Sequence, residues 1–594
     1  MLGLAEDTGC PGYYTTVSET LFGKLLQKPH KIGNMPLVTI TETLLRAIQS
    51  HKAGELDSAA RDYTMILREE PKHFDALHML GLALLQKGEL VQAHESISAA
   101  IDMQPTNPSA LMHLGLALEK MGRVAESLSV FDKAIHFAPD HIATLNNRAK
   151  ILTSLGRIDE ALNDLDHALF IKPDYIDALY NRGNALAKIS KHEEALLFYD
   201  RALALNPKYL SARINRGNVL KCLARNEEAL ASIEDALEIN PDNIDALTNK
   251  SDLLLTLQRP EEALDSCNRA LAIQKDRVEV LNNKGIALQE LVRLDEALDC
   301  FDRALEIKFN CAESHLNRGF VFALRGKFSE AWVEMEWRKH INKTLGFKRF
   351  CKPEWDGNQV IREAIIFVHF EQGLGDTIQF CRFFPLINAM GATIIFCCQN
   401  SLSTLLRDSF PEVRIIGENE VPNTFDYHIP LMSIPFALGT NGDTIPRKVP
   451  YLRADSDRVR RWKARIGRDG FKIGISWRGS KLGAELGKSF RLSHFEDIAK
   501  IPNVRLISLQ KNEGCEEITA LPAGMLVETL GNEFDNGPNS FVDTAAVMKT
   551  VDLVITLDTS IAHLARPIHD GSLFRPFPMP SVLGRTSSTS FFTA

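Results

Sequence analysis

Three short segments of this 594-residue sequence carry side chains whose types and spacing suit a bound ligand, in two of them a phosphate. The first, Glu371-Gln372-Gly373-Leu374-Gly375-Asp376, follows an apolar run ending at His369-Phe370 and precedes a helical run from Thr377 to Met390. Gly373 and Gly375 permit a tight turn and a close approach of backbone to ligand, and Asp376 then falls in the first helical turn. An aspartate there also stabilises the helix by itself, by about 1 kcal/mol or less, so a purely structural role stays open. The second, Val554-Ile555-Thr556-Leu557-Asp558-Thr559-Ser560-Ile561-Ala562-His563, reads as a buried strand running into a helix. Free amide groups at such a helix start attract a diphosphate, although an ordinary cap by Asp558 or Thr559 accounts for the same residue types. Between them, Ile475-Ser476-Trp477-Arg478-Gly479 leads into a polar loop with Lys481, Lys488 and Arg491, where a cation could neutralise a phosphate or simply stay solvated.

A second chemistry is written in carboxamides. Asn147, Asn181, Asn215, Asn249, Asn283 and Asn317 recur at 34-residue steps, with Asn146 and Asn282 beside two of them. An amide both donates to a peptide carbonyl and accepts from a peptide N–H, so a row of them would hold an extended chain with little regard to its sequence. Alternatively, asparagine is just the residue this repeat position favours.

The elements that must position these groups follow from periodicity. A small residue stands at Gly81, Gly115, Ala149, Gly183, Gly217, Ser251, Gly285 and Gly319, a strict 34-residue period. Twelve residues after each comes another, Ala93, Ser127, Ala161, Ala195, Ala229, Ala263, Ala297 and Ala331, and Pro71, Pro105, Pro139, Pro173, Pro207 and Pro241 close most units. Two antiparallel helices approach closely only where side chains are small, and proline ends a helix, so each unit is expected to be a helical hairpin. About nine such units fill 40–342, with Lys275 and Phe309 replacing the closing proline in two of them. There the turn is expected either to be set differently or to give way to a longer helix.

After Lys352-Pro353-Glu354-Trp355-Asp356-Gly357, read with 343–360 as a linker, the period changes. Apolar β-rich runs at 364–370, 393–398, 413–416, 472–477, 504–510 and 553–557 alternate with helical stretches. That alternation predicts parallel βαβ units in two Rossmann-like lobes, 361–450 and 451–565, whose ligands sit at the carboxyl ends of the strands. Asp455-Ser456-Asp457 opens a predicted helix and reads as a cap rather than a metal clamp.

Bulk composition narrows the rest. A formal net charge of -8 gives no basic surplus for nucleic acid. Ten scattered cysteines without a Cys-x-x-Cys pair fit reduced thiols in a cytoplasm, and no apolar run approaches the length of a membrane helix. Residues 1–39 match nothing downstream and are expected to be a disordered arm, with Met35 as the natural start.

The 34-residue units with these small residues and prolines resemble tetratricopeptide repeats, which implies a superhelix with a concave protein-binding groove. The asparagine row is similar to that of O-linked N-acetylglucosamine transferase, where it grips an extended peptide. The C-terminal segments resemble the heptosyltransferase-like glycosyltransferases over roughly Glu336 to Ala565. The marks are Glu336-Trp337-Arg338, Gln372-Gly373-Leu374-Gly375-Asp376-Thr377, Asp443-Thr444-Ile445-Pro446, Ser508-Leu509-Gln510-Lys511, Asp543-Thr544-Ala545-Ala546 and Asp558 to His563. This resemblance implies a two-lobed GT-B fold and metal-independent, inverting transfer from a nucleotide sugar, with no further cofactor. It implies Asp376 as the base taking the acceptor hydroxyl proton, near Gly373 and Gly375, and Lys488 on the diphosphate. It places Asp558 on the donor sugar and Thr559, Ser560 and His563 around the phosphates. Such chemistry is coherent: a carboxylate activates the hydroxyl while a lysine and helix amides stabilise the charge growing on the leaving diphosphate.

The resemblance stops at Ala565, and 566–594 is expected to be an aberrant tail produced by a frameshift, leaving the second lobe incomplete. Two functions therefore stand: a repeat-guided glycosyltransferase, or a protein-binding scaffold with a degenerate transferase domain.

Overall fold

The computed structural model describes residues 37–341, 350–479, 490–511, 513–537, 540–557 and 559–568. Lys481, Lys488, Asp558, the arm before Leu37 with Met35, and the tail from 569 lie outside the described residues. The chain divides into two compact units, residues 1–249 and 250–594.

The first unit is built of helical hairpins, from Leu37–Lys52 with Leu56–Glu69 to Leu210–Cys222 with Asn226–Ile239. The small residues do what the period requires of them. A Cβ added to Gly115 would lie 2.6 Å from Cε1 of Phe131, and one on Gly183 2.6 Å from Cε1 of Tyr199. Phe131 and Tyr199 are fully buried, each worth about 2–3 kcal/mol relative to exposure. Ser127, in place of the second alanine, satisfies its hydroxyl by donating to the Gly115 carbonyl at 2.7 Å. The turn inside each hairpin needs one left-handed residue. Gly54, Gly88, Gly122 and Gly156 supply it without strain, whereas Ser190 and Ala224 are held there at φ 61° and 57°.

The second unit continues with hairpins Val278–Glu290 with Leu294–Ile307 and Ala312–Leu324 with Phe328–Met335. The missing prolines leave no mark on these helices. Pro260–Ile273 and Leu294–Ile307 end at the same repeat position as the others, and Lys308 N–H still bonds the Ala304 carbonyl at 2.9 Å. A main-chain bond that any residue can make closes the helix, so proline there only reinforces the stop.

Two four-stranded sheets follow, both wholly parallel. The first has order β3-β2-β1-β4, from β1 (Ile365–His369), β2 (Thr393–Cys397), β3 (Arg414–Ile416) and β4 (Tyr427–Pro430). The second has order β7-β6-β5-β8, from β5 (Phe471–Ser476), β6 (Val504–Ser508), β7 (Val527–Glu528) and β8 (Leu553–Thr556). The six apolar runs are all strands. β4 and β7 escape the pattern because one is a half-polar run ending in proline and the other is two residues long. The two sheets repeat one device: Asp426 accepts from Ile365 N–H and returns its own N–H to the Ile365 carbonyl, and Asp552 does the same with Lys472. Lys352–Gly357, read as a linker, is built into the first sheet, with Glu354 bridging β4 at His428 and Trp355 buried.

One apolar core joins these parts. It takes Trp332 and Met335 from the last hairpin, Val368 and Phe396 from the first sheet, Leu509 from just past β6, and Val547 and Leu564 from the helices Val542–Met548 and Ser560–Ile568.

Candidate functional site

Each sheet launches a helix from a strand end toward the other. From β1 the chain passes through Glu371-Gln372-Gly373 into the helix Leu374–Phe380, and from β8 through Leu557 into the helix Ser560–Ile568. These helices pack on one another. Their last turns meet at Tyr451, whose N–H donates to the Pro567 carbonyl at 3.1 Å and whose hydroxyl donates to the Ile378 carbonyl at 3.1 Å. Arg382 donates to the same hydroxyl, and burial pushes the Tyr451 phenol well above its ordinary range.

Asp376 is buried, and its Oδ2 accepts from Gly373 N–H at 3.2 Å, so the capping role open in the sequence is present. Gly375 is buried in the first turn beside it. The glycine loop is held from three sides. Gln399, just past β2, accepts from Thr377 Oγ1 and donates to the Gln372 carbonyl, both at 2.9 Å. Glu371 accepts from Met432 N–H at 3.1 Å, and both its oxygens lie 3.0 Å from the Arg338 guanidinium. Arg338, from the segment after the last hairpin, is itself buried and also donates to Glu336 at 2.8 Å and to Ser433 at 2.8 Å. Burial pushes the Glu371 carboxyl up against the pull of Arg338, while Arg338 and Lys339 overcome burial to hold Glu336 below its usual range.

In the second lobe Thr559 N–H bonds the Leu557 carbonyl at 2.8 Å, Ser560 begins the helix, and His563 is buried on it. That helix runs to Ile568, three residues past the end of the resemblance. Pro567 lies in its last turn, and the Pro567 carbonyl accepts from the N–H groups of Tyr451 and Leu452. Gln510 braces the end of β5 by accepting from Ser476 Oγ, Trp477 N–H and Arg478 N–H at 3.0–3.1 Å. Asp543 is a structural hub that accepts from Trp462 Nε1 at 2.8 Å and Arg458 at 2.7 Å. Asp455 caps its helix through Arg458 N–H at 2.7 Å, as its sequence position suggests. Gln399 was not singled out from sequence, and Gln510 stood there only within the mark Ser508-Leu509-Gln510-Lys511, without a role. The available signal was a glutamine closing an apolar run beside the central strand of each sheet.

The asparagines behave consistently within each unit. In the first, Asn147, Asn181 and Asn215 each donate from Nδ2 to the residue 35 positions earlier: Met112 sulfur at 3.4 Å, Asn146 Oδ1 at 2.9 Å and Tyr180 hydroxyl at 3.0 Å. In the second, Asn317 donates to Asn282 Oδ1 and Asn283 to Ser251 Oγ, both at 3.0 Å. Asn249 is half-buried at the same repeat position. The ladder thus stitches neighbouring hairpins, and only the remaining amide valences could serve a peptide.

One rung is a histidine pair: His78 Nε2 and His113 Nδ1 are 2.7 Å apart and buried. Burial drives His78 down to about 4, and burial with the nearby His78, His141 and His51 drives His113 well below its ordinary value. Unfolded histidines take up protons below about pH 6.5, whereas the folded pair resists. Stability is therefore complete above 6.5 and falls as pH drops toward 4, by on the order of 3 kcal/mol from His78 alone. Amide exchange of residues 74–120 across that range should show the loss, and His78→Asn should remove the part that His78 contributes.

Among the described residues no cluster of three His, Cys, Asp or Glu could hold a metal ion, and no helix is long and apolar enough to cross a membrane. Family models described as tetratricopeptide repeat match residues 52–108, 78–142, 176–209, 215–278 and 278–311, and one described as TPR repeat matches 149–190. Protein FlbA of Caulobacter vibrioides is 26% identical over 272 residues, or 42% of this chain and 45% of that protein. The chain thus spans less than half the length of this curated relative. A tetratricopeptide repeat protein from Parabacteroides merdae is 22% identical over 42% of this chain and 98% of its own, with a TM-score of 0.35. YrrB, a TPR protein with an unusual peptide-binding site, is 26% identical over 30% of this chain and 93% of its own, with a TM-score of 0.26. The helical hairpins are tetratricopeptide repeats, consistent with protein binding, and they precede two parallel sheets.

Proposed function

We propose that the protein captures a polypeptide with its repeats and transfers a sugar to an acceptor from a nucleotide-sugar donor held between its two parallel-sheet lobes in a GT-B arrangement. The observation that carries this reading is the packed pair of helices, one bearing Asp376 and the other opening at Thr559-Ser560, each launched from a strand end of its own sheet. Strand ends and helix starts are where parallel α/β sheets bind phosphorylated ligands. Asp376 serves as the base, Lys488 and the amides of the Ser560 helix take the diphosphate, and Asp558 and His563 lie at the donor. The remaining amide valences of Asn147 to Asn317 hold the captured chain.

Titration of the purified chain with ADP, UDP, GDP and their sugar conjugates tests the donor site. Saturable binding of one nucleotide, weakened about tenfold or more by Asp558→Ala, is the expected result. Absence of binding by the folded chain would leave a repeat scaffold carrying a disabled transferase domain.

A further inference from the structure

Gln399 and Gln510 use both ends of their carboxamides, Gln399 between Thr377 and the Gln372 carbonyl, and Gln510 between the end of β5 and the carbonyls of Arg478 and Glu513. Gln379 uses neither. It is 3% exposed, and among the described residues its Oε1 and its Nε2 are both buried with no hydrogen-bond partner. Burying a donor and an acceptor in this way forfeits their bonds to water with nothing in exchange, and a methionine of similar length would fill the space without that loss. The Thr559 hydroxyl, just before the helix Ser560–Ile568, is a second buried group without a partner among the described residues. Thr377 faces Gln399 and the first sheet, and Gln379, two residues on, is turned about 200° from it around the helix. The Gln379 carbonyl accepts from Arg382 Nε at 2.9 Å, Arg382 also donates to the Tyr451 hydroxyl, and Tyr451 N–H reaches the Pro567 carbonyl of the Ser560–Ile568 helix. Gln379 is thus turned from the first sheet, on a helix that packs against the second lobe, and one turn along from Asp376.

We propose, resting on the transfer reading above, that Gln379 is a specificity-determining residue of the donor site and that its carboxamide takes hydroxyls of a neutral transferred sugar. In that reading the sugar lies between Asp376 and the diphosphate at Thr559-Ser560, beside the side chain one turn along from Asp376. A carboxamide is satisfied only by groups that donate as well as accept. Sugar hydroxyls do both, whereas a carboxylate only accepts and an ammonium only donates. Neutral hexoses therefore fit Gln379, and uronic acids and amino sugars leave one of its ends unbonded. Because Gln379 is buried in the free chain, the sugar enters as the two lobes part and is then shielded from water.

The test compares the full chain with Gln379→Met, using whichever of ADP, UDP and GDP binds together with its glucose, galactose, mannose and glucuronic acid conjugates. Expected is a neutral conjugate that binds the wild type about tenfold or more tighter than the nucleotide alone, while the glucuronic acid conjugate does not. Gln379→Met should weaken that neutral conjugate about tenfold or more and leave the nucleotide within about twofold, a split that a merely structural role would not produce. The urea midpoint of the ligand-free variant, read by amide exchange at 365–380, should be unchanged or raised, because no bond is lost. A lowered midpoint, or a variant that fails to fold, would mean that the carboxamide is already satisfied inside the chain, by an ordered water for instance, and would overturn the proposal. Equal weakening of nucleotide and conjugate, no weakening of either, or a preference for the glucuronic acid conjugate would overturn it while leaving the transfer reading in place. Absence of nucleotide binding by the folded wild type would remove both.

Discussion

Replacing Arg338 by methionine is expected to destabilise the second unit by about 3–5 kcal/mol, the cost of leaving a buried charge without its partner. Arg338 has almost no exposed surface, and the Glu371 side chain is only 3% exposed, so water cannot take over the lost contacts. Removing the guanidinium strips Glu371 of the cation 3.0 Å away and Ser433 of a 2.8 Å donor, while burial still pushes the Glu371 carboxyl toward its protonated form. Adding Glu371→Gln should recover part of the loss, because a neutral amide tolerates burial better than a lone carboxylate. Urea unfolding read through amide exchange at 365–380 measures both effects. A loss below about 1 kcal/mol would mean that the cluster is solvated and does not tie the last hairpin to the glycine loop.

The larger effect on activity is expected at Asp376. Asparagine at this position keeps an oxygen to accept from Gly373 N–H, so the cap and the fold should survive. It cannot take a proton, and if Asp376 is the base the turnover number should fall by about 10² to 10⁴ while nucleotide affinity stays within about twofold. Transfer at the wild-type rate would confine Asp376 to its structural role. Because the cap is conserved in the variant, the two roles separate in one measurement.

Much of the architecture was legible in the chain because it rests on local rules. The 34-residue recurrence of Gly115, Gly183 and Gly285 reports a steric limit, since a methyl at any of them would meet Phe131, Tyr199 or Phe301 at 2.5–2.6 Å. Six apolar runs became strands because parallel sheets bury both faces, which leaves a continuous apolar signature. The two strands that were missed, β4 and β7, are set by neighbours: Tyr427–Pro430 is extended because β1 and Pro353–Trp355 bond it from both sides.

The site divides in the same way. Gly373, Gly375, Asp376, Thr559 and Ser560 could be placed at strand-to-helix turns from sequence, because those turns have local residue signatures. What they touch could not. Asn181 finds Asn146, Arg338 finds Glu371, and Gln399 finds the loop at Gln372 through side chains that meet only after the elements have packed. By itself, then, the sequence determined the repeats, the change to parallel strands and the positions of the candidate motifs, all properties of helix period, strand pattern and turn chemistry. The tertiary structure alone decided that the asparagines stitch hairpins, that a buried arginine ties the last hairpin to the glycine loop, and that the segment Pro353–Trp355 closes the outer edge of β4. These depend on distances between residues remote in the chain, which no local rule encodes.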